Sequence, residues 1–259
     1  MPFYLVLVRK TFYQQFQYRI ASLINNFGSL VFATMYLAIW QGTLGADRQV
    51  AGLDSLDMAR YIAFAQCLLF LTTFLPRGFG ISDAVRTGAI AMDLLRPPNF
   101  FVYHLAQCFG YQVYNLLFRS LPVFLIFWWA FGLPPFRWAT LPLMLFSMLV
   151  AMYLGFLLQY FVGIAAFWTN SIRWAFIVHY TLIMTFSGNF VPIPAMPGWM
   201  AAFGAYSPFA GLHYYPIKTY LGHPSLAGIW VPLLWCVLLT AAALWLTKRA
   251  RTKMEVQGG

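Results

Sequence analysis

Long apolar stretches alternate with shorter polar ones along the whole chain. Six apolar stretches predict membrane helices: residues 21–40, 61–75, 113–133, 141–167, 174–191 and 229–246. A helix that crosses the hydrocarbon core of a bilayer needs about 20 mainly apolar residues. Because lipid offers no partner to a free backbone N–H or C=O, a helix is the default conformation for each stretch. The pattern predicts an all-α integral membrane protein with six transmembrane helices.

Composition supports this pattern and argues against a second domain. The chain has 259 residues, of which 61% are hydrophobic and 8% are charged. Soluble domains carry about a quarter charged residues, so this chain has too few polar groups to cover a surface in water. Since the predicted helices and their loops use up most of the sequence, we expect a single membrane domain over residues 1–259.

Basic residues indicate how the predicted helices are oriented. The net charge is +10, which in a soluble protein would suggest nucleic acid. In a membrane protein the same excess reflects the enrichment of Lys and Arg in cytoplasmic loops. Most of these residues precede the first predicted helix, separate the second from the third, or follow the sixth. We therefore expect cytoplasmic N and C termini and no nucleic-acid partner.

The connection between the fifth and sixth predicted helices, residues 192–224, has two features that conflict in an ordinary loop. It is rich in Pro and Gly, which prevent one continuous helix. It also contains many aromatic side chains, and these make it too apolar for a solvated segment. We expect short helices that re-enter the membrane from the external face.

A charged segment, residues 81–96, separates the second and third predicted helices. Its sequence predicts one amphipathic helix over Ser82–Leu95, with Ser82 as N-cap and the following Pro-Pro pair as the stop. Four charged residues are predicted to form one arc, Asp83, Arg86, Asp93 and Arg96, and two apolar residues, Ile90 and Leu94, lie among them and break the pattern. Two interpretations stay open. The helix either floats with its apolar face among the lipid headgroups, or docks its charged arc into a groove of a cytoplasmic partner.

Three motifs resemble a known family. The segment AVRTGAIAMDLLRPP contains a G-x-x-x-x-x-L-L-R-P pattern, and AAFWTNSIRWAF contains an F-W-T step between the fourth and fifth predicted helices. The stretch FSGNFVPIPAMPGWM, followed by YSPFAGLHYYPIKTYLG, is similar to the Pro- and Gly-rich pattern after helix five of that family. Together the motifs resemble the six-helix permease subunits of type-2 ATP-binding-cassette (ABC) exporters of bacteria.

The resemblance implies a division of labour between chains. Such permeases act in the cytoplasmic membrane as pairs, identical or homologous, and each is joined to a cytoplasmic ABC ATPase. The sequence contains no G-x-x-x-x-G-K-[ST] loop, so we expect ATP and Mg²⁺ on the partner ATPase and no cofactor on this chain. Segment 81–96 then resembles the coupling helix that transmits ATPase closure. Residues 1–20 are expected to form an interfacial segment, and residues 247–259 a cytoplasmic tail.

Few residues suggest chemistry within the predicted helices. Arg119 lies inside an apolar stretch, where a charge is costly and marks a functional hypothesis. It either lines a transport pathway, for which Asn115 and Asn189 are further candidates, or extends its charged end to the interface. By analogy with related exporters, four aromatic residues are candidates for an external lid, the alternative being an interfacial belt. They are Trp199, Phe203, Tyr206 and Phe209.

Other functional classes find less support in the sequence. The four histidines share no ligand spacing, so we expect no metal site, and we expect no catalytic residues. An ATP-independent secondary transporter or a membrane-integral enzyme remains the alternative, although either would need acids or paired histidines within its helices. The aromatic-rich, charge-poor helices fit an amphipathic or lipid-like cargo best, and drugs, peptides and polysaccharides stay open.

Overall fold

The computed structural model describes residues 2–44, 52–95, 99–131, 137–169 and 172–257. Within these ranges the secondary structure is helical, without β-strands. In chain order the α-helices are α1 (Pro2–Gln15), α2 (Arg19–Leu44), α3 (Ser55–Thr72), α4 (Ile81–Arg86), α5 (Ile90–Leu95), α6 (Phe100–Asn115), α7 (Leu121–Phe131), α8 (Leu141–Ile164), α9 (Arg173–Phe186), α10 (Gly198–Tyr206), α11 (Tyr214–Tyr220) and α12 (Ala227–Gln257).

Five helical stretches in the described ranges are long and apolar enough to cross a membrane. They are Phe3–Trp40, Ser55–Arg86, Phe100–Ala130, Trp138–Phe167 and Ala227–Lys253. They correspond to the first, second, third, fourth and sixth predicted helices. Large apolar side chains on the outward faces of α2 and α12 are exposed, as expected where lipid is the solvent. The chain is a multi-pass membrane protein.

The fifth predicted helix is shorter than the sequence pattern indicates. Helix α9 has 14 residues, about 21 Å at the usual helical rise, and ends at Phe186 rather than at residue 191. The chain leaves the helix at Gly188, whose φ is +79°, a conformation that favours glycine. The predicted continuous helix over 174–191 is therefore wrong in its last part.

Two other helices begin earlier than predicted because polar side chains cap them. Helix α3 starts at Ser55, where the Asp54 carboxylate accepts a 2.7 Å hydrogen bond from the Asp57 N–H. Helix α6 starts at Phe100, where the Asn99 side-chain oxygen accepts from the Phe101 N–H at 3.0 Å. Polar residues that the apolar pattern excluded thus form part of both helices.

Helix α3 lies at the centre of the fold and is buried along most of its length. It packs against α2, α6, α7, α8 and α11. Buried side-chain hydrogen bonds connect these helices. The Gln112 amide donates to the Leu71 carbonyl at 2.9 Å and to the Met152 carbonyl at 2.8 Å. One side chain therefore joins α6 to both α3 and α8.

Helices α8 and α12 run parallel to each other. The hydroxyl of Tyr153 lies 2.8 Å from that of Thr240, and the hydroxyl of Tyr160 lies 2.6 Å from that of Thr247. Residue numbers increase together in the two contacts, so both helices point the same way. The chain between them, α9 and residues 187–226, must therefore return from the end of α8 to the level at which α12 begins.

Candidate functional site

The charged segment folds as two short helices rather than one. Helix α4 begins at Ile81, and α5 ends at Leu95. Between them the Thr87 hydroxyl donates to the Asp83 carbonyl at 2.8 Å, and Gly88 adopts a φ of +75°. That left-handed turn suits glycine and ends α4. The predicted single helix over Ser82–Leu95, with Ser82 as its N-cap, is therefore wrong.

The break turns apolar side chains from both short helices toward the protein interior. Ile81 of α4 and Ile90 of α5 are each 1% exposed. They belong to one core cluster with Ile164 at the end of α8, Phe167 just beyond it, and Ala250 of α12. The prediction that Ile90 belongs to the outward arc is wrong, because the turn at Gly88 rotates α5. These two side chains are covered by protein, whereas Met92 of α5 is 67% exposed, so the bundle holds the segment but leaves part of its apolar surface open.

Two charges of α4 point outward. The side chains of Asp83 and Arg86 are 78% and 77% exposed, and they form an ion pair with an N–O distance of 3.4 Å. Such an exposed pair contributes little to stability, so both charges are available to a partner. Asp93 and Leu94 lie in α5, but their side chains, like Arg96 as a whole, fall outside the described residues.

A tight turn, Arg77–Gly80, joins α3 to α4 and rests directly on α8. A Cβ atom added to Gly163 would lie 2.5 Å from the Gly78 carbonyl oxygen, so backbone meets backbone at this point. Within the turn, Phe79 has a φ of +52°, which is uncommon for a residue with a side chain. Its ring packs 5.6 Å from the ring of Phe156 in α8. The turn thus fixes α4 to α8.

A cavity of about 890 Å³ lies between α2, α3 and α9. Its wall is mainly apolar and aromatic, with a few polar side chains. Two arginines reach it: Arg77 from the tight turn and Arg119 from the third membrane helix. The Arg77 guanidinium lies 4.5 Å from the centre of the Phe176 ring of α9. The turn that carries α4 therefore also contributes to the cavity wall.

Arg119 lies in a π-helical turn, Leu116–Ser120, between α6 and α7. π-Helical turns within α-helices are frequent at functional sites. The Nη2 atom of Arg119 donates to the Ser22 hydroxyl at 3.1 Å, and its guanidinium lies 5.6 Å from the centre of the Phe70 ring. Its Nε atom is buried and has no hydrogen-bond partner among the described residues. The side chain is thus held at the cavity without a carboxylate counterion in that part of the chain.

The sequence matches a family of membrane transporters over most of its length. Residues 30–258 match the family model described as "ABC-2 family transporter protein". The chain belongs to the ABC-2 transporter family. No curated protein matches it. The family match confirms the resemblance to type-2 ABC permeases, a class of membrane components without a nucleotide-binding domain that generally partner with cytoplasmic ATPase subunits.

Of the three pathway residues predicted for this ABC-2 chain, Arg119 lines the cavity, and the other two lie elsewhere in the described structure. The Asn115 amide is buried and donates to the Phe70 carbonyl at 2.8 Å, joining α6 to α3. Asn189 is also buried, and its side-chain atoms have no hydrogen-bond partner among the described residues. The three residues therefore do not form one site.

The four predicted lid residues of the ABC-2 chain also separate into two groups. Trp199, Phe203 and Tyr206 lie on α10 with exposed side chains, whereas Phe209 is buried in the core. The Phe203 ring packs 4.8 Å from the Phe186 ring at the end of α9. The exposed three fit a surface role, and Phe209 holds the segment to the bundle.

Sequence reasoning missed the contacts that hold residues 187–220 against the central helix. The hydroxyl of Tyr61 donates to the Gly188 carbonyl. His213 is fully buried, and its Nε2 lies 3.2 Å from the Thr72 hydroxyl at the far end of α3. The ring of Tyr220 stacks on Phe64 with 4.4 Å between the centres. Isolated histidines and tyrosines gave no periodic signal that could have revealed these contacts.

Proposed function

We propose that this ABC-2 chain is the transmembrane permease subunit of an ATP-driven exporter in the bacterial cytoplasmic membrane. Two such subunits, identical or homologous, form the translocation pathway, and each binds a cytoplasmic ATPase that holds ATP and Mg²⁺. The observation that carries the proposal is the two-sided packing of α4. Its charges face outward, and Ile81 on its apolar side packs against the end of α8 and the turn that follows it.

The α4–α5 segment acts as the coupling element in this proposal. An ATPase groove that engages Asp83 and Arg86 makes charge-assisted hydrogen bonds with them. Because Ile81 and Ile90 pack in one cluster with Ile164, a displacement of the segment is passed to α8. Direct contact between the backbones of Gly78 and Gly163 supports the same transmission. Coupling of this kind needs a packed element that has two positions.

The proposal includes six membrane crossings with both termini in the cytoplasm, and the parallel arrangement of α8 and α12 supports a further crossing between them. If both cross in the same direction, the chain between them crosses once in the opposite direction, and α9 begins that crossing. Residues 187–226 complete it with short helices that re-enter the membrane. His213 of this segment supports that placement. It contacts Thr72, which lies 17 positions beyond Ser55 at the start of α3, so the segment reaches the opposite end of that helix.

Purification of the tagged chain from a mild detergent tests the proposal. We expect an ATPase with a P-loop to co-purify and to hydrolyse ATP in step with transport. Arg86→Glu should lower transport about tenfold, the value of one charge-assisted hydrogen bond, while the protein stays in the membrane. Arg137→Glu, an exposed arginine at the start of α8, is the matched control and should leave coupling unchanged.

Two results would contradict the proposal. One is a chain that is stable, active and free of any ATPase, which would favour an ATP-independent transporter. The other is wild-type coupling in Arg86→Glu.

A further inference from the structure

The cavity between α2, α3 and α9 has an unbalanced charge. Arg77 and Arg119 both line it, and no Asp or Glu does so among the described residues. Arg119 is partly buried within a membrane helix, where an arginine is costly unless it meets water, a carbonyl or an anion, whereas Arg77 is exposed at the turn. The cavity therefore favours an anionic occupant.

Arg119 retains hydrogen-bonding capacity that the protein itself does not use. A guanidinium has five N–H donors in a planar fork, and one recorded bond, to Ser22, involves Nη2. Within the described part of the chain its Nε also has no hydrogen-bond partner, and this atom is itself buried. Planar guanidinium groups pair with phosphate and carboxylate through two parallel bonds. The geometry of the side chain thus suits an acidic headgroup.

The rest of the cavity suits an apolar chain. Ile24 and Phe32 of α2, Leu69 and Phe74 near the end of α3, and Met184 of α9 all line it. Its volume of about 890 Å³ falls within the range of small-molecule pockets, roughly 300–1,000 Å³. A mainly apolar wall with two cations matches a molecule with one acidic end and an apolar remainder.

We infer that the cargo of this permease is an anionic amphiphile whose phosphate or carboxylate headgroup binds in the cavity lined by Arg77 and Arg119. The inference rests on the proposed export function and specifies its substrate class. It also gives Arg77 a second role. Arg77 begins the turn that carries α4 and contacts Phe176 of α9. A displacement of α4 therefore moves one of the two cations and weakens the site.

Native mass spectrometry of the purified full-length chain in detergent tests the binding site. The probes are phosphatidylglycerol, phosphatidylcholine and a trimethylammonium lipid with the same acyl chains. We expect phosphatidylglycerol to bind at least about tenfold more tightly than the other two. The double variant Arg77→Gln and Arg119→Gln should lose this preference. Equal binding of all three lipids, or a preference that survives the double variant, would overturn the inference.

Two further variants separate charge from folding damage. Arg249→Gln, an exposed cation on α12 outside the cavity, should keep the preference for phosphatidylglycerol. The pair Arg77→Lys and Arg119→Lys retains both charges and should keep most of it. Loss of the preference in Arg249→Gln would mean that surface charge, and not the cavity, selects the headgroup.

A transport arm distinguishes cargo from a resident lipid. The permease–ATPase complex is placed in vesicles with fluorescent phosphatidylglycerol in the ATPase-side leaflet, and its movement is followed with a membrane-impermeant quencher. Movement that requires ATP supports the cargo. Selective binding without ATP-dependent movement would identify a resident lipid and overturn the substrate class. ATP-dependent coupling without headgroup selectivity would overturn this inference alone, whereas selective binding without any ATPase would contradict the export function.

Discussion

The two sides of α3 differ in how tightly they are packed. Toward α8, the Thr72 backbone lies so close to Gly155 that an added Cβ would stand 2.6 Å from the Thr72 carbonyl oxygen. Toward α2 and α9, the same helix borders a cavity of about 890 Å³. In the most apolar 18 residues of each stretch, 89% of the residues are buried in Ser55–Arg86, which contains α3, but only 22% in Phe3–Trp40, which contains α2.

The difference assigns separate tasks to the two sides. The tight side joins α3, α8 and α12 to the α4–α5 segment, and close packing transmits displacement rather than absorbing it. The loose side has room for a ligand and two arginines with which to hold it. Arg77 belongs to both, because it begins the turn on α8 and lines the cavity.

The largest expected effect on stability comes from inserting a methyl group between two contacting backbones on the tight side. Gly163→Ala places a Cβ 2.5 Å from the Gly78 carbonyl oxygen, so the turn and α8 must move apart. We expect a loss of about 2–3 kcal/mol of stability, seen as a lower midpoint in thermal inactivation of the detergent-solubilised protein.

Gly28→Ala is the matched control for this change on the loose side. A Cβ there would meet no atom within 4 Å in the described structure. Alanine is the better helix former by about 1 kcal/mol, so the midpoint should stay or rise. Equal destabilisation by both changes would show that the difference in packing between the two sides of α3 has no effect on stability.

An intermediate effect is expected from Gln112→Leu. The substitution removes two buried hydrogen bonds, to the Leu71 and Met152 carbonyls, while it keeps an apolar side chain of similar size. Interhelical hydrogen bonds in membranes contribute about 1 kcal/mol each, so the thermal midpoint should fall measurably but less than in Gly163→Ala. Gln14→Leu, at an exposed position of α1, should leave it unchanged.

The smallest effect on stability is expected from Asp83→Asn. The ion pair with Arg86 is exposed to solvent and contributes about 0.5 kcal/mol or less to stability. The thermal midpoint should therefore stay at the wild-type value, while binding of the ATPase weakens. A clear loss of stability would mean that this charge supports the fold rather than a partner.

Apolar periodicity alone predicted the parts of the fold that lipid and core impose. Helix α8 begins at Leu141, as predicted, and the predicted 229–246 lies within α12. Two of the errors fall at glycines with positive φ. Gly188 ends α9 early, and Gly88 divides the charged segment. A glycine in an apolar or charged run carries no mark of its backbone conformation, because tertiary contacts decide which conformation it adopts.

The candidate site was predictable only in part for a related reason. Arg119 was predicted because a charged side chain within an apolar membrane stretch is energetically costly and therefore suggests a function. The cavity that Arg119 lines could not be predicted from the sequence, because its wall comes from α2, α3 and α9, which are distant in sequence. Asn115 and Arg119 are both polar residues in one apolar stretch, so the sequence does not separate their roles. In the structure the Asn115 amide bonds the Phe70 carbonyl, whereas Arg119 lines the cavity.

Photo-crosslinking from position 86 tests the coupling role of α4 most directly. Arg86→p-benzoylphenylalanine places the reactive group on the exposed side of α4, and Trp199→p-benzoylphenylalanine places it on α10 as the matched control. We expect irradiated cells to yield an adduct with a P-loop ATPase from position 86 and none from position 199. A folded protein that gives no ATPase adduct from position 86, or equal adducts from both positions, would contradict the assignment of α4 as the coupling element.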